Sequence, residues 1–204
     1  MLIKCIYNKK IHLPKDCSSP SNDPEWDFRL KLGENYIVYA MTIYSGYVWY
    51  YVCEHEFPSY PKWKPSPLFE VIDGSISKYW IYSFILDREI DYEDTTWAYP
   101  EWANEPYPYY DKLSDGEEEE VEIFNKYKEL MDLEFPDPSV IETAKILDDE
   151  WVLCEQCIDA WQSMTTNVGM IRCPYCKQAM HNPRYKASPR DIESWLEHRN
   201  PENK

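Results

Sequence analysis

Apolar and polar positions alternate along the first half of the chain and change to a helical period in its middle. LIKCIY at 2–7 reads as a short strand, and the Pro-, Ser- and Asp-rich stretch from Leu13 to Pro24 has no apolar period. NYIVYAMTIY at 35–44 and YVWYYVC at 47–53 are dense in β-branched and aromatic residues, with Ser45-Gly46 between them as a hairpin turn. After a connection marked by Pro58, Pro61, Pro65 and Pro67, LFEVID at 68–73 alternates into Asp73-Gly74. KYWIYSF at 78–84 follows, so a second hairpin is expected there. Short strands at this spacing predict a small curved β-sheet or an SH3-like barrel.

Residues 89–113 are acidic, aromatic and interrupted by proline, which disfavours one regular helix. Ser114-Asp115-Gly116-Glu117 has the form of a capping box, and a helix from there to about Leu133 would align Val121, Phe124, Tyr127 and Met131 on one face, widened by Ile123 and Leu130. Pro136-Asp137-Pro138 breaks the pattern. A shorter helix is expected from Ser139 to Leu147, and a terminal one opens at Ser188-Pro189-Arg190-Asp191 and runs to about Arg199. The expected class is α+β, in three parts: a β-rich domain at 1–88, an acidic aromatic and helical segment packed on it at 89–150, and a cysteine-rich module with a terminal helix at 151–204.

That last module carries the one motif with definite chemistry. Cys154-Glu-Gln-Cys157 and Cys173-Pro-Tyr-Cys176 are two close pairs separated by 15 residues. A tetrahedral metal site needs four soft ligands around one ion, and each two-residue gap lets a tight turn aim two sulfurs at it. The spacing predicts a zinc ribbon with one structural zinc on Cys154, Cys157, Cys173 and Cys176; iron suits the same ligands. Four thiolates leave no open position for catalysis. Trp151 and Trp161 are expected to form a miniature core on the module, and His181 is not expected among the ligands. Cys5, Cys17 and Cys53 are scattered and are read as buried small hydrophobes.

Charge adds a second feature. Of a net −16, the 37 residues from 89 to 125 carry −12, whereas 1–88 are neutral and 151–204 are +1. Such a belt repels nucleic acid and suits a basic partner. In the ribbon Arg172, Lys177, Arg184 and Lys186 are offset by acids, so direct nucleic-acid binding is disfavoured there too. Asp91, Asp94, Glu101, Asp111, Asp115, Glu117 and Glu118, with Trp102 and Tyr109 as aromatic anchors, form the expected partner-binding set. The competing arrangement is a solvated charge face over an inward aromatic core. With 5 Gly there is no phosphate loop, Cys53-Glu54-His55 lacks a third group, and no nucleophile elbow occurs, so no enzyme is expected. No apolar run reaches membrane-spanning length and MLIKCIYNKK does not read as a secretory signal, which predicts a soluble cytoplasmic protein.

YIVYAMTIYSGYVWYYVC, PLFEVIDGSISKYW, PEWANEPYPYYDKLSDGEEEEVEIFNKYKELMDLEFPDPS and the closing WVLCEQC, CPYC and HNPRY segments resemble an uncharacterised bacterial family. The chain is also similar to small acidic immunity proteins of polymorphic-toxin systems. That resemblance, with the charge belt, implies a binding protein that neutralises a basic toxin or nuclease domain. The alternative is a nucleic-acid-associated adaptor or a nucleic-acid mimic encoded by a mobile element.

Overall fold

The computed structural model describes residues 1–54, 57–87, 92–135, 142–166 and 168–185. It is mixed α+β, with antiparallel sheets and a few helices, and it divides into two compact units, Met1–Asp132 and Leu133–Lys204. Among the described residues no helix is long and apolar enough to cross a membrane.

Among the described residues the first unit holds eight strands: β1 (Leu2–Cys5), β2 (Asn35–Ile37), β3 (Ala40–Tyr44), β4 (Tyr47–Glu54), β5 (Phe57–Pro65), β6 (Phe69–Asp73), β7 (Ile81–Asp87) and β8 (Tyr92–Ala98). They form a three-stranded sheet in the order β2-β1-β6 and a five-stranded sheet in the order β5-β4-β3-β8-β7. The run at 35–44, expected as one strand, is two. The Val38 N–H donates to Met1 O in the first sheet and the Tyr39 N–H to Tyr51 O in the second, so the chain changes sheets between them. Burial of three consecutive residues, Val38 to Ala40, marks that crossing, because a strand within one sheet alternates its faces.

The first hairpin forms as expected. Ser45 (φ 50°) and Gly46 (φ 80°) both take positive φ, the requirement of the tight turn that matches strand twist. The second expected hairpin does not form: β6 pairs with β1 and β7 with β8. The Asp73 carboxylate instead accepts from the Ser75 N–H, and this local turn ends β6. From Pro58 to Pro65 the proline-rich connection is itself strand β5, at the edge of its sheet, where a proline nitrogen facing away from β4 costs no ladder bond. Strand β8 lies within the acidic segment, so that segment supplies part of the sheet as well as helices.

Helices α1 (Pro100–Asn104) and α2 (Pro106–Asp115) each begin on proline, which fits the first helical turn. The expected capping box is a helix end. Gly116 takes φ 81°, its N–H donates to Leu113 O, and the Glu117 N–H donates to Lys112 O, the paired bonds of a Schellman stop. Ser114 sits in the last turn of α2 and donates back to Asp111 O. Helix α3 (Glu118–Glu134) then starts, its first-turn glutamates facing the positive end of its dipole. Phe124 and Met131 of the expected stripe are fully buried, and Val121, Ile123 and Tyr127 pack against the same core with Ile3, Val38, Val52 and Leu68. Each such side chain contributes roughly 1.5–3 kcal/mol.

In the second unit β9 (Lys145–Ile146), β10 (Trp151–Leu153) and β11 (Ala160–Gln162) form one sheet in the order β11-β10-β9, while β12 (Met170–Arg172) and β13 (Ala179–His181) form a hairpin. The helix expected at 139–147 is contradicted over its described part. Thr143 bridges to His181, the Ala144 N–H donates to His181 O, and residues 145–146 are strand. A segment this short gains little from helical bonds alone, and burying Ala144 in the small core favours the extended form. The terminal helix expected from Ser188 lies outside the described residues.

Candidate metal centre and acidic face

Two turns of the same design build the candidate metal site. Between β10 and β11 the Ile158 N–H donates to Cys154 O (2.8 Å) and the Cys154 N–H to Asp159 O (2.9 Å). Between β12 and β13 the Lys177 N–H donates to Cys173 O (3.0 Å) and the Cys173 N–H to Gln178 O (3.0 Å). The residue after the second cysteine has φ 64° in both, at Ile158 and Lys177. Positive φ at a β-branched residue is strained, and the turn imposes it to bring the two sulfurs of each pair to one side. Each cysteine pair thus tips its own hairpin, β10–β11 for Cys154 and Cys157 and β12–β13 for Cys173 and Cys176.

All four sulfurs lie within 4.8 Å of one another. Cys154 Sγ is 3.7 Å from Cys176 Sγ, and Cys157 Sγ is 3.5 Å from Cys173 Sγ. These are far beyond an S–S bond of about 2.0 Å, and four sulfurs held about 2.3 Å from a central ion stand about 3.8 Å apart. The backbone is turned to stabilise sulfur charge: the Asp159 N–H points at Cys157, the Gln178 N–H at Cys176, and the Tyr175 and Cys176 N–H groups at Cys173. For Cys173 burial pushes the thiol up, but those two N–H groups and the neighbouring sulfurs outweigh it and bring it to about 7. For Cys157 the Asp159 N–H pulls down, yet burial and the three other sulfurs push the thiol up to about 12. Four adjacent sulfurs cannot all ionise without a cation among them, and a divalent ion resolves that conflict.

Cys154 and Cys173 are fully buried with Val152, Ile171, Met180 and Ala144, and Trp161 packs on them. Trp151, expected in that core, is 39% exposed and takes no part in it. Asn182 ties the module together: its side-chain amide donates to Thr165 O and Val168 O, and its Oδ1 accepts from the Arg184 N–H. His181 lies in β13 and is not one of the clustered ligands.

The acidic segment divides sharply. Glu101, Asp111, Asp115, Glu117 and Glu118 are exposed on α1, α2 and the start of α3, and so are Glu105, Glu119 and Glu122. Asp94 is half-buried on β8 and accepts from the Thr42 and Thr96 hydroxyls. Asp91 lies outside the described residues. Trp102 (1% exposed) and Tyr109 (5%) are core, which overturns their assignment as anchors for a partner. Trp102 stacks on Tyr109 and Tyr110 and meets Tyr51 of the sheet edge-on, while Tyr99 stacks on Tyr127 at 4.1 Å. The Tyr109 hydroxyl donates to Glu120 O (3.0 Å) and lies 2.8 Å from the Tyr99 hydroxyl. These aromatic rings fix the helices to the sheet, so the carboxylates stand on a rigid support.

Glu54 was not singled out by the sequence, yet it is 2% exposed and bonded to Lys64 and Lys62. Lys64 also donates to Phe28 O (2.7 Å), and its burial lowers its pKa. Acidic and basic residues on adjacent antiparallel strands are the available signal, which the prolines of β5 mask in the sequence. Burial also pushes the Cys53 thiol up to about 12 and the Cys5 thiol to about 11, so neither is a nucleophile at neutral pH.

Compared with protein-family models, with curated proteins and with solved structures, the chain matches none.

Proposed function

We propose that this is a non-enzymatic binding protein: a zinc-ribbon module carrying one structural zinc on Cys154, Cys157, Cys173 and Cys176, joined to a unit whose carboxylate face engages a basic protein. The observation that carries the binding role is the division of the acidic segment, with Glu101, Glu105, Asp111, Asp115 and Glu117 to Glu119 exposed over an aromatic layer that holds them in place. Fixed like charges raise a basic partner's encounter rate and lose no freedom on docking. The partner class is a toxin or nuclease domain, and the action is neutralisation by occlusion in the cytoplasm.

The test is capture on the immobilised full chain at low salt, followed by kinetics on the recovered basic protein. Replacing Asp111, Asp115, Glu117 and Glu118 with their amides is expected to slow association roughly tenfold at low salt and to flatten its salt dependence, with folding unchanged. An unchanged association rate rejects the carboxylate face as the interface.

A further inference from the structure

Strand β7 closes one edge of the five-stranded sheet and β5 the other, and the two edges are built differently. Proline at Pro58, Pro61 and Pro65 blocks β5 against further pairing. Strand β7, IYSFILD, has no proline and no lysine, and among the described residues no strand pairs with it on the side away from β8. Its alternate side chains Tyr82, Phe84 and Leu86 are 58%, 50% and 50% exposed. The register places Tyr82 beside Trp97, which pairs in turn with Met41, and Phe84 beside Thr95, and Ile43, two residues beyond Met41 on the same face of β3, is exposed. The apolar surface therefore continues from the open edge across three strands, an arrangement that invites an added strand.

Charge selects the occupant. At the Leu86 end the register partner is the exposed Glu93, and at the Ile81 end α1 packs alongside with the exposed Glu101. An antiparallel second copy would bring the Glu93 end of one edge against the Glu101 end of the other, like charge on like charge in a chain of net −16. From this we infer that β7 accepts, as a sixth strand, an extended segment of a protein partner with alternating apolar side chains and basic residues at both ends. The inference rests on the basic-partner reading above and adds where such a partner is held.

The experiment uses the full zinc-loaded chain and two labelled synthetic peptides with the same alternating valine–threonine core, one flanked by lysines and one by glutamates. Fluorescence anisotropy measures affinity and amide hydrogen exchange reads β7. The lysine-flanked peptide is expected to bind at least about tenfold tighter, to slow exchange at 81–87, and to lose roughly tenfold in affinity to Phe84→Lys. Because Phe84 is exposed, circular dichroism of that variant should match the parent, and exchange on the unmutated chain stands independently of it. Equal affinity for both peptides with β7 protected overturns the basic-partner reading. Preference for the lysine peptide without protection at β7, or without response to Phe84→Lys, overturns the edge assignment alone. A concentration-dependent dimer abolished by Phe84→Lys assigns the edge to a second copy and overturns the inference.

Discussion

Tyr109 and Tyr99 share a buried hydroxyl pair, and the two hydroxyls are not equivalent. Tyr109 donates to Glu120 O, so in the 2.8 Å contact between the hydroxyls Tyr99 is the donor. Changing Tyr99 to Phe removes one bond and leaves the Tyr109 donor satisfied, a cost of about 1 kcal/mol. Changing Tyr109 to Phe removes both bonds and strands the Tyr99 O–H, which is fully buried, for about 2.5 kcal/mol. The double change leaves no stranded donor and should cost about 2 kcal/mol, so the cycle shows a coupling of about 1.5 kcal/mol. Phenylalanine keeps the rings, including the Trp102 stack at 5.6 Å, which isolates the hydroxyl effect. Urea unfolding of the zinc-loaded chain, followed by tryptophan fluorescence, measures all three variants. A Tyr109→Phe cost no larger than that of Tyr99→Phe refutes the assigned direction of the bonds and the placing of Tyr109 as a core support.

Cys173→Ser should abolish stoichiometric metal and raise hydrogen exchange across 142–185 while 1–132 keep their protection, since roughly 10 kcal/mol of metal-binding free energy is folding free energy in such modules. Alkali should unfold the first unit steeply. Burial raises the pKa of Tyr99, Tyr109 and Tyr110 above the ordinary tyrosine value, so their contribution is intact below about pH 10 and is lost as pH rises toward the folded-state values, because the unfolded chain releases those protons first. Circular dichroism against pH should fall above 10, and Tyr99→Phe should reduce the steepness.

The cysteine cluster was legible because its chemistry is local: two pairs of thiols at short spacing specify their own turns. So was the β3–β4 hairpin, whose Ser45-Gly46 turn fixes register within a few residues. Strand β5 was hidden by its prolines, which only an edge position tolerates, and that position depends on the whole sheet. The partners of β6 and β7 were equally non-local: Asp73-Gly74 fits a hairpin turn, yet β1 lies ready to pair with β6 and β8 with β7. At Gly116 the same four residues fit a helix start or a helix stop, and the two preceding helices, each begun on proline, decided for the stop. Inward placing of Trp102 and Tyr109 depended on the phase of those two short helices, which composition does not carry.

The sulfurs of Cys154, Cys157, Cys173 and Cys176 are placed to close around one ion. Protein purified without chelator should contain one zinc per chain, and its zinc X-ray absorption spectrum should fit four sulfur neighbours at about 2.3 Å. A chain without stoichiometric metal, or a metal spectrum requiring nitrogen or oxygen in place of any of the four sulfurs, contradicts the account.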